Sequence, residues 1–169
     1  MFEARSIETG DKAVFYRELA AQLEALLHGE TDAVANAANT AALLYQTMPD
    51  LNWAGFYFMR DGELVLGPFQ GKPACVRIPV GKGVCGAAVA RRRTMLIEDV
   101  HAFPGHIACD AASRSELVVP LLGPDGVIGV IDLDSPSPAR FAEADRVGIE
   151  RIAALYLVGC GVVALTPAS

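Results

Sequence analysis

At 169 residues the chain is long enough for one domain with a full core, and 52% apolar residues exclude a disordered segment. A formal net charge of −6 argues against nucleic acid, whose phosphates need a cationic surface. The mixed, charged residues 1–12 do not read as a secretory leader, and the apolar stretch 152–165 is too short for a spanning helix, which needs about 20 residues.

Asp11 is placed to cap a helix running to about residue 28, with Val14, Phe15, Leu19, Leu23, Leu26 and Leu27 on a broad apolar face. Thr31 or Asp32 opens a second, alanine-rich helix that ends at Met48, before Pro49. The period then changes to that of strands. Residues 52–59 are aromatic and strand-like, Asp61-Gly62 is a two-residue hairpin signal, and 63–66 returns the chain. A third strand is expected over 75–80, a short helix over 86–92 and a short strand over 94–97, followed by a loop over 99–112. A second hairpin runs from 115–122 through Gly123-Pro124-Asp125-Gly126 to 127–134. A proline-rich stop at 135–138 precedes a last helix over 142–165, read as buried or facing a second subunit. This order predicts an α+β fold in a single domain over 1–169, with a largely antiparallel sheet and the helices segregated on one face.

The chemistry concentrates in the middle of the chain. Cys75, Cys85 and Cys109 fall in glycine- and proline-rich surroundings, while Cys160 sits in the apolar last helix, where a cysteine is most simply a small buried hydrophobe. The cytoplasm is the expected compartment, and there a functional cysteine set is catalytic or metal-binding more often than structural. Zinc sites show a close cysteine pair, which this chain lacks, so no metal is assigned, although His101 and His106 could complete a Cys/His set. Otherwise both histidines are loop residues making local hydrogen bonds.

Gly81-Lys82-Gly83-Val84-Cys85-Gly86 fits G-x-G-x-x-G literally, yet no acidic residue follows about 20 positions on and strands do not alternate with helices. The glycines are better read as a tight turn that places Cys85. Arg91-Arg92-Arg93 is the one basic cluster, read as the C-terminal end of a short helix, where cations are favoured.

Asp132 and Asp134 are two apart on a strand and share a face, leaving Ile131 and Leu133 for the core. Asp132 lies well inside the strand, where aspartate is disfavoured. If the hairpin closes at Asp125-Gly126, Glu116 lands diagonally beside Asp134. Three carboxylates converging on one face repel one another, which points to a bound cation or to one acid kept protonated; the bland alternative is a solvated sheet face. Trp53 and Tyr57 share a face with Gly55 between them, an arrangement that either leaves room for a ligand or is ordinary core.

The segments 71–78, 81–86 and 98–110, together with Ser115-Glu116 and Asp132-Leu133-Asp134-Ser135, strongly resemble the free methionine-(R)-sulfoxide reductases, which are single-domain GAF-fold enzymes. The resemblance covers about residues 30–160. It implies reduction of free L-methionine-(R)-sulfoxide, with Cys109 as nucleophile, Cys75 as the main resolving cysteine through a Cys75–Cys109 disulfide, and Cys85 as the auxiliary member. It implies Glu116, Asp132 and Asp134 as substrate-binding carboxylates and Trp53 as the aromatic wall, with Tyr57 beside it. It also implies a homodimer with no bound cofactor, whose electrons come from thioredoxin and, indirectly, NADPH. The competing class is a non-catalytic GAF sensor of a small molecule or of redox state, since fold alone does not specify function.

Overall fold

In the computed structural model, residues 2–105 and 111–162 are described. Helix α1 (Lys12–Leu27) is capped by Asp11, whose Oδ1 accepts from the N–H groups of Ala13 and Val14. Helix α2 (Ala33–Thr47) is capped in the same way by Asp32, which decides between the two expected caps. Strands β1 (Trp53–Arg60) and β2 (Glu63–Gly71) form the first hairpin. Asp61 and Gly62 both take positive φ, 51° and 86°, as the tight two-residue turn demands. Strand β2 runs five residues beyond its expected end at residue 66.

Strand β3 is short (Arg77–Pro79), so Cys75 precedes it rather than opening it. Helix α3 (Gly83–Arg91) begins three residues before the expected start, and Cys85 therefore sits in its first turn. Arg92 ends α3 in the left-handed region, its N–H reaching back to Ala88 and Val89, so the arginine run does mark the helix end. Strand β4 (Met95–Ile97) and a single 3₁₀ turn (Val100–Ala102) lead to the second hairpin, β5 (Ser115–Gly123) and β6 (Gly126–Ser135). Helix α4 (Glu143–Gly159) is capped at its C-terminus by Cys160.

The six strands form one sheet in the order β3-β2-β1-β6-β5-β4, and each neighbouring pair is antiparallel. Alternation along the strands sorts side chains to two faces. Ala54, Phe56, Leu117, Val119, Leu121, Ile131 and Leu133 join α1, α2 and α4 in the main core. The N- and C-terminal helices thus share a face, as expected, but α3 does not. It lies across the opposite face, over Trp53, Tyr57, Ile78, Val118 and Val130. Its apolar stripe is too short to compete for the main core and instead closes a second, smaller one. No helix among the described residues is long and apolar enough to cross a membrane.

Candidate active site

The second core holds the polar cluster. On the β5–β6 hairpin Glu116 stands directly opposite Asp134, and Val118 opposite Asp132. The sequence register placed Glu116 diagonal to Asp134. Two local features correct it: the turn is Pro124-Asp125, flanked by the pair Gly123–Gly126, and Ile128 is an extra residue that shifts the register by one. Asp132 faces the same side as Asp134, with Ile131 and Leu133 in the main core behind them, as the alternation predicted.

Cys85 is delivered from the other side. The chain turns from β3 into α3 with Gly81 N–H donating to Gly86 C=O at 2.9 Å. A Cβ at Gly86 would lie 2.5 Å from the Pro79 carbonyl, so only glycine allows this approach. The glycine pattern is therefore a packing device that presses the first turn of α3 onto the sheet. There Cys85 Sγ–H donates to Glu116 Oε1 at 3.9 Å.

Cys85, Glu116 and Asp132 are 3%, 6% and 6% exposed. Burial, then the charges of Asp132 and Asp134, raises the Glu116 carboxyl well above the usual range. Asp132 is raised to about 6, by burial. The Cys85 thiol is pushed up by burial and then by Asp132 and Glu116, and this outweighs any help from its position at a helix N-terminus. Glu116 is thus held toward its protonated form, and Cys85 is held as a thiol rather than a thiolate. Asp132 Oδ1 is buried with no hydrogen-bond partner among the described residues.

An open cavity of about 40 Å³ lies over the cluster, lined by Cys85, Glu116, Asp132 and Asp134, by Trp53 and Tyr57, by Ser113 and by residues 72–74. The two aromatic rings tie down its rim: Trp53 Nε1–H donates to Lys72 C=O at 3.1 Å and Tyr57 O–H to Cys75 C=O at 3.0 Å. Trp53 and Tyr57 are thus both core and wall, being 3% and 1% exposed. Gly55, however, makes no room for a ligand. A Cβ there would meet the Trp53 ring at 2.6 Å and Phe69 at 2.4 Å, so the glycine makes room for the indole itself, which stacks on Phe69.

Cys75 is disulfide-bonded, and the free thiols among the described residues are Cys85 and Cys160. Cys109 and His106 lie outside the described residues. The backbone N–H of His101 donates to Asp99 Oδ1 at 3.1 Å in the 3₁₀ turn. Cys160 is remote from the cavity, 3.7 Å from Asn36 Nδ2 at the end of α4.

Two polar wall residues, Lys72 and Ser113, were not among the expected site residues. Lys72 follows the end of β2 at Gly71, and its place in the 71–78 motif was the available signal. Ser113 had none: it is positioned by its neighbour Arg114, whose N–H bonds to Ser135 C=O at 2.7 Å and whose C=O accepts from Val100 at 2.8 Å.

Residues 34–157 match the GAF domain family. The chain is 56% identical to the free methionine-R-sulfoxide reductase of Escherichia coli over 144 residues, covering 85% of this chain and 87% of that one. It is 40% identical to the free methionine-R-sulfoxide reductase of Saccharomyces cerevisiae, covering 89% and 88%. The structure of the Neisseria meningitidis free methionine-R-sulfoxide reductase in complex with its substrate superposes with a TM-score of 0.91 at 45% identity, over 95% of this chain and 96% of that one. The chain belongs to the free methionine-R-sulfoxide reductase family of GAF-domain proteins.

The motif resemblance and the GAF fold read from sequence are borne out by these matches. Buried like-charged acids with an orphaned oxygen survive where a ligand makes use of them.

Proposed function

We propose that this protein reduces free L-methionine-(R)-sulfoxide to L-methionine. The observation that carries the reading is Glu116: a carboxyl buried beside two other acids at the floor of a cavity walled by Trp53, with the Cys75 segment at the rim.

A sulfoxide sulfur becomes electrophilic when its oxygen is protonated or tightly hydrogen-bonded. Glu116 is the acid for that oxygen, because burial and the neighbouring Asp132 and Asp134 charges hold its proton. The Cys109 thiolate attacks the sulfur and the S–O bond breaks. Methionine leaves, and the oxygen ends on Cys109 as a sulfenic acid. The Cys75 thiol then displaces that oxygen as water and forms the Cys75–Cys109 disulfide. A thioredoxin dithiol reduces it by exchange, returning both thiols and drawing its electrons indirectly from NADPH. The disulfide-bonded state of Cys75 supports its place in this cycle. The raised Cys85 thiol supports an auxiliary role, since a protonated thiol is a poor nucleophile.

Asp132, with Asp134 beside it, pairs with the substrate α-ammonium; the orphaned Oδ1 supplies an acceptor. A methionine sulfoxide inside a protein has no ammonium, and leaving this acid unpaired costs about 1–3 kcal/mol, which favours the free amino acid. We further place the protein in the cytoplasm as a homodimer, with the whole of 1–169 acting as one domain and no bound cofactor.

The test is turnover of each epimer of free L-methionine sulfoxide with thioredoxin, thioredoxin reductase and NADPH. Consumption with the R epimer alone is expected. Cys109→Ser abolishes it, while Cys75→Ser leaves a single turnover and blocks recycling. Full activity of Cys109→Ser with thioredoxin would overturn the nucleophile assignment. Inactivity of the thiol-reduced protein toward both epimers would favour a ligand sensor.

A further inference from the structure

We propose that Cys85, Glu116 and Asp132 form a zinc-binding site whose occupancy blocks the substrate cavity. The three donors come from three rigid elements, α3, β5 and β6, and their ligand atoms all lie within 4.8 Å of one another. Bond lengths of about 2.3 Å to sulfur and 2.0 Å to oxygen put two tetrahedral donors about 3.5 Å apart. The 3.9 Å between Cys85 Sγ and Glu116 Oε1 therefore needs a contraction of a few tenths of an ångström. Small side-chain rotations bring the third donor in.

The independent sign that points to a cation is Asp132. It is 6% exposed, it lines the cavity, and its Oδ1 has no hydrogen-bond partner among the described residues. A cation at that oxygen satisfies the acceptor and offsets the charge of a buried carboxylate. The sulfur selects among cations. Magnesium and calcium prefer all-oxygen shells, whereas a thiolate with two carboxylates suits zinc, which deprotonates the thiol it binds. Three protein ligands leave the fourth position facing the cavity, where the substrate would otherwise lie.

Zinc has no part in the reduction itself. That its binding inhibits rests on the reductase reading of this cavity, but that it binds does not. The experiment is equilibrium dialysis against Zn²⁺ with Cys75 held in its disulfide, so that Cys75 offers no thiolate. One zinc per chain is expected, and Cys85→Ala or Asp132→Asn should weaken it at least tenfold. Titration of the unmutated protein with Co²⁺ guards against a variant that fails to fold, because a thiolate-to-cobalt charge-transfer band reports sulfur ligation directly. No bound zinc, no such band, or full retention of zinc by a folded Cys85→Ala chain each overturns the site. Methionine formed in a single turnover by the reduced, zinc-free protein tests the reductase reading separately. Zinc should suppress it over the concentration range in which dialysis shows occupancy, and undiminished turnover at full occupancy would overturn the blocking role.

Discussion

Two sets of buried acids in this molecule behave in opposite ways. Asp145, at the start of α4, is 1% exposed yet fully partnered. It accepts from Lys12 Nζ, from Tyr16 O–H and Ala142 N–H at 2.7 Å each, and from Arg140 at 3.4 Å. Burial alone would raise its carboxyl, but the bonds from Lys12, Ala142 and Tyr16 outweigh that and hold it below the ordinary range. Glu116 and Asp132 are as deeply buried, but no ion pair among the described residues reaches either of them, and both carboxyls are raised. Burial does not decide what an acid does; its partners do. The first site ties α1 and the 140–142 turn to α4, and the second faces the cavity.

Substitution should separate the two sets. Glu116→Gln removes the donated proton and should lower sulfoxide turnover by roughly 10²–10⁴-fold, the range for a lost general acid. It should leave urea stability nearly unchanged, since the amide replaces a carboxyl that burial already holds toward its neutral form. Asp145→Asn should do the reverse, costing about 1.5–3 kcal/mol by weakening the charge-assisted hydrogen bonds from Lys12, Tyr16 and Ala142, while turnover per folded molecule stays near that of the parent. The comparison fails if Glu116→Gln destabilises the fold while staying fully active.

Much of this contrast was legible beforehand, and the limits are physical. Strand alternation put Asp132 and Asp134 on one face and Leu133 on the other, because a period of two leaves no alternative within a strand. It could not count the extra residue at Ile128, so Glu116 came out one position off. Whether Trp53 and Tyr57 were core or wall was undecidable from spacing, because they are both. The Asp145 site gave no signal at all: its partners Lys12 and Tyr16 are more than 120 positions away, and only the packing of α1 on α4 joins them.

The pH dependence of stability should show both acids, with opposite slopes. Asp132 is raised from about 3.8 to about 6 in the folded chain. The folded state then holds a proton that the unfolded state releases, so stability is highest below about pH 4 and declines as pH rises toward 6. Glu116, raised for the same reason, adds a decline of the same sign. Asp145 is depressed, so its contribution is present above about pH 4 and is lost as the pH falls through its folded value. Asp132→Asn should flatten the fall between pH 4 and 6 in urea titrations, whereas Asp145→Asn should remove only the acid limb. An unchanged slope in Asp132→Asn would mean that Asp132 does not titrate there.

The smallest effect concerns the rim rather than the floor. Burial, then the Asp132 charge, pushes the Tyr57 hydroxyl far above its ordinary value, so it remains a donor to the Cys75 carbonyl at 3.0 Å. Tyr57→Phe keeps the ring that stacks on Trp53 and deletes that one bond. A single hydrogen bond is worth about 0.5–1.5 kcal/mol, so positioning of Cys75 should suffer roughly 2- to 12-fold. In rapid quench, release of the first methionine should be unchanged while disulfide formation slows by that factor. Equal slowing of both steps would instead assign Tyr57 to the cavity wall, and the contrast between a reactive floor and a positioned rim would dissolve.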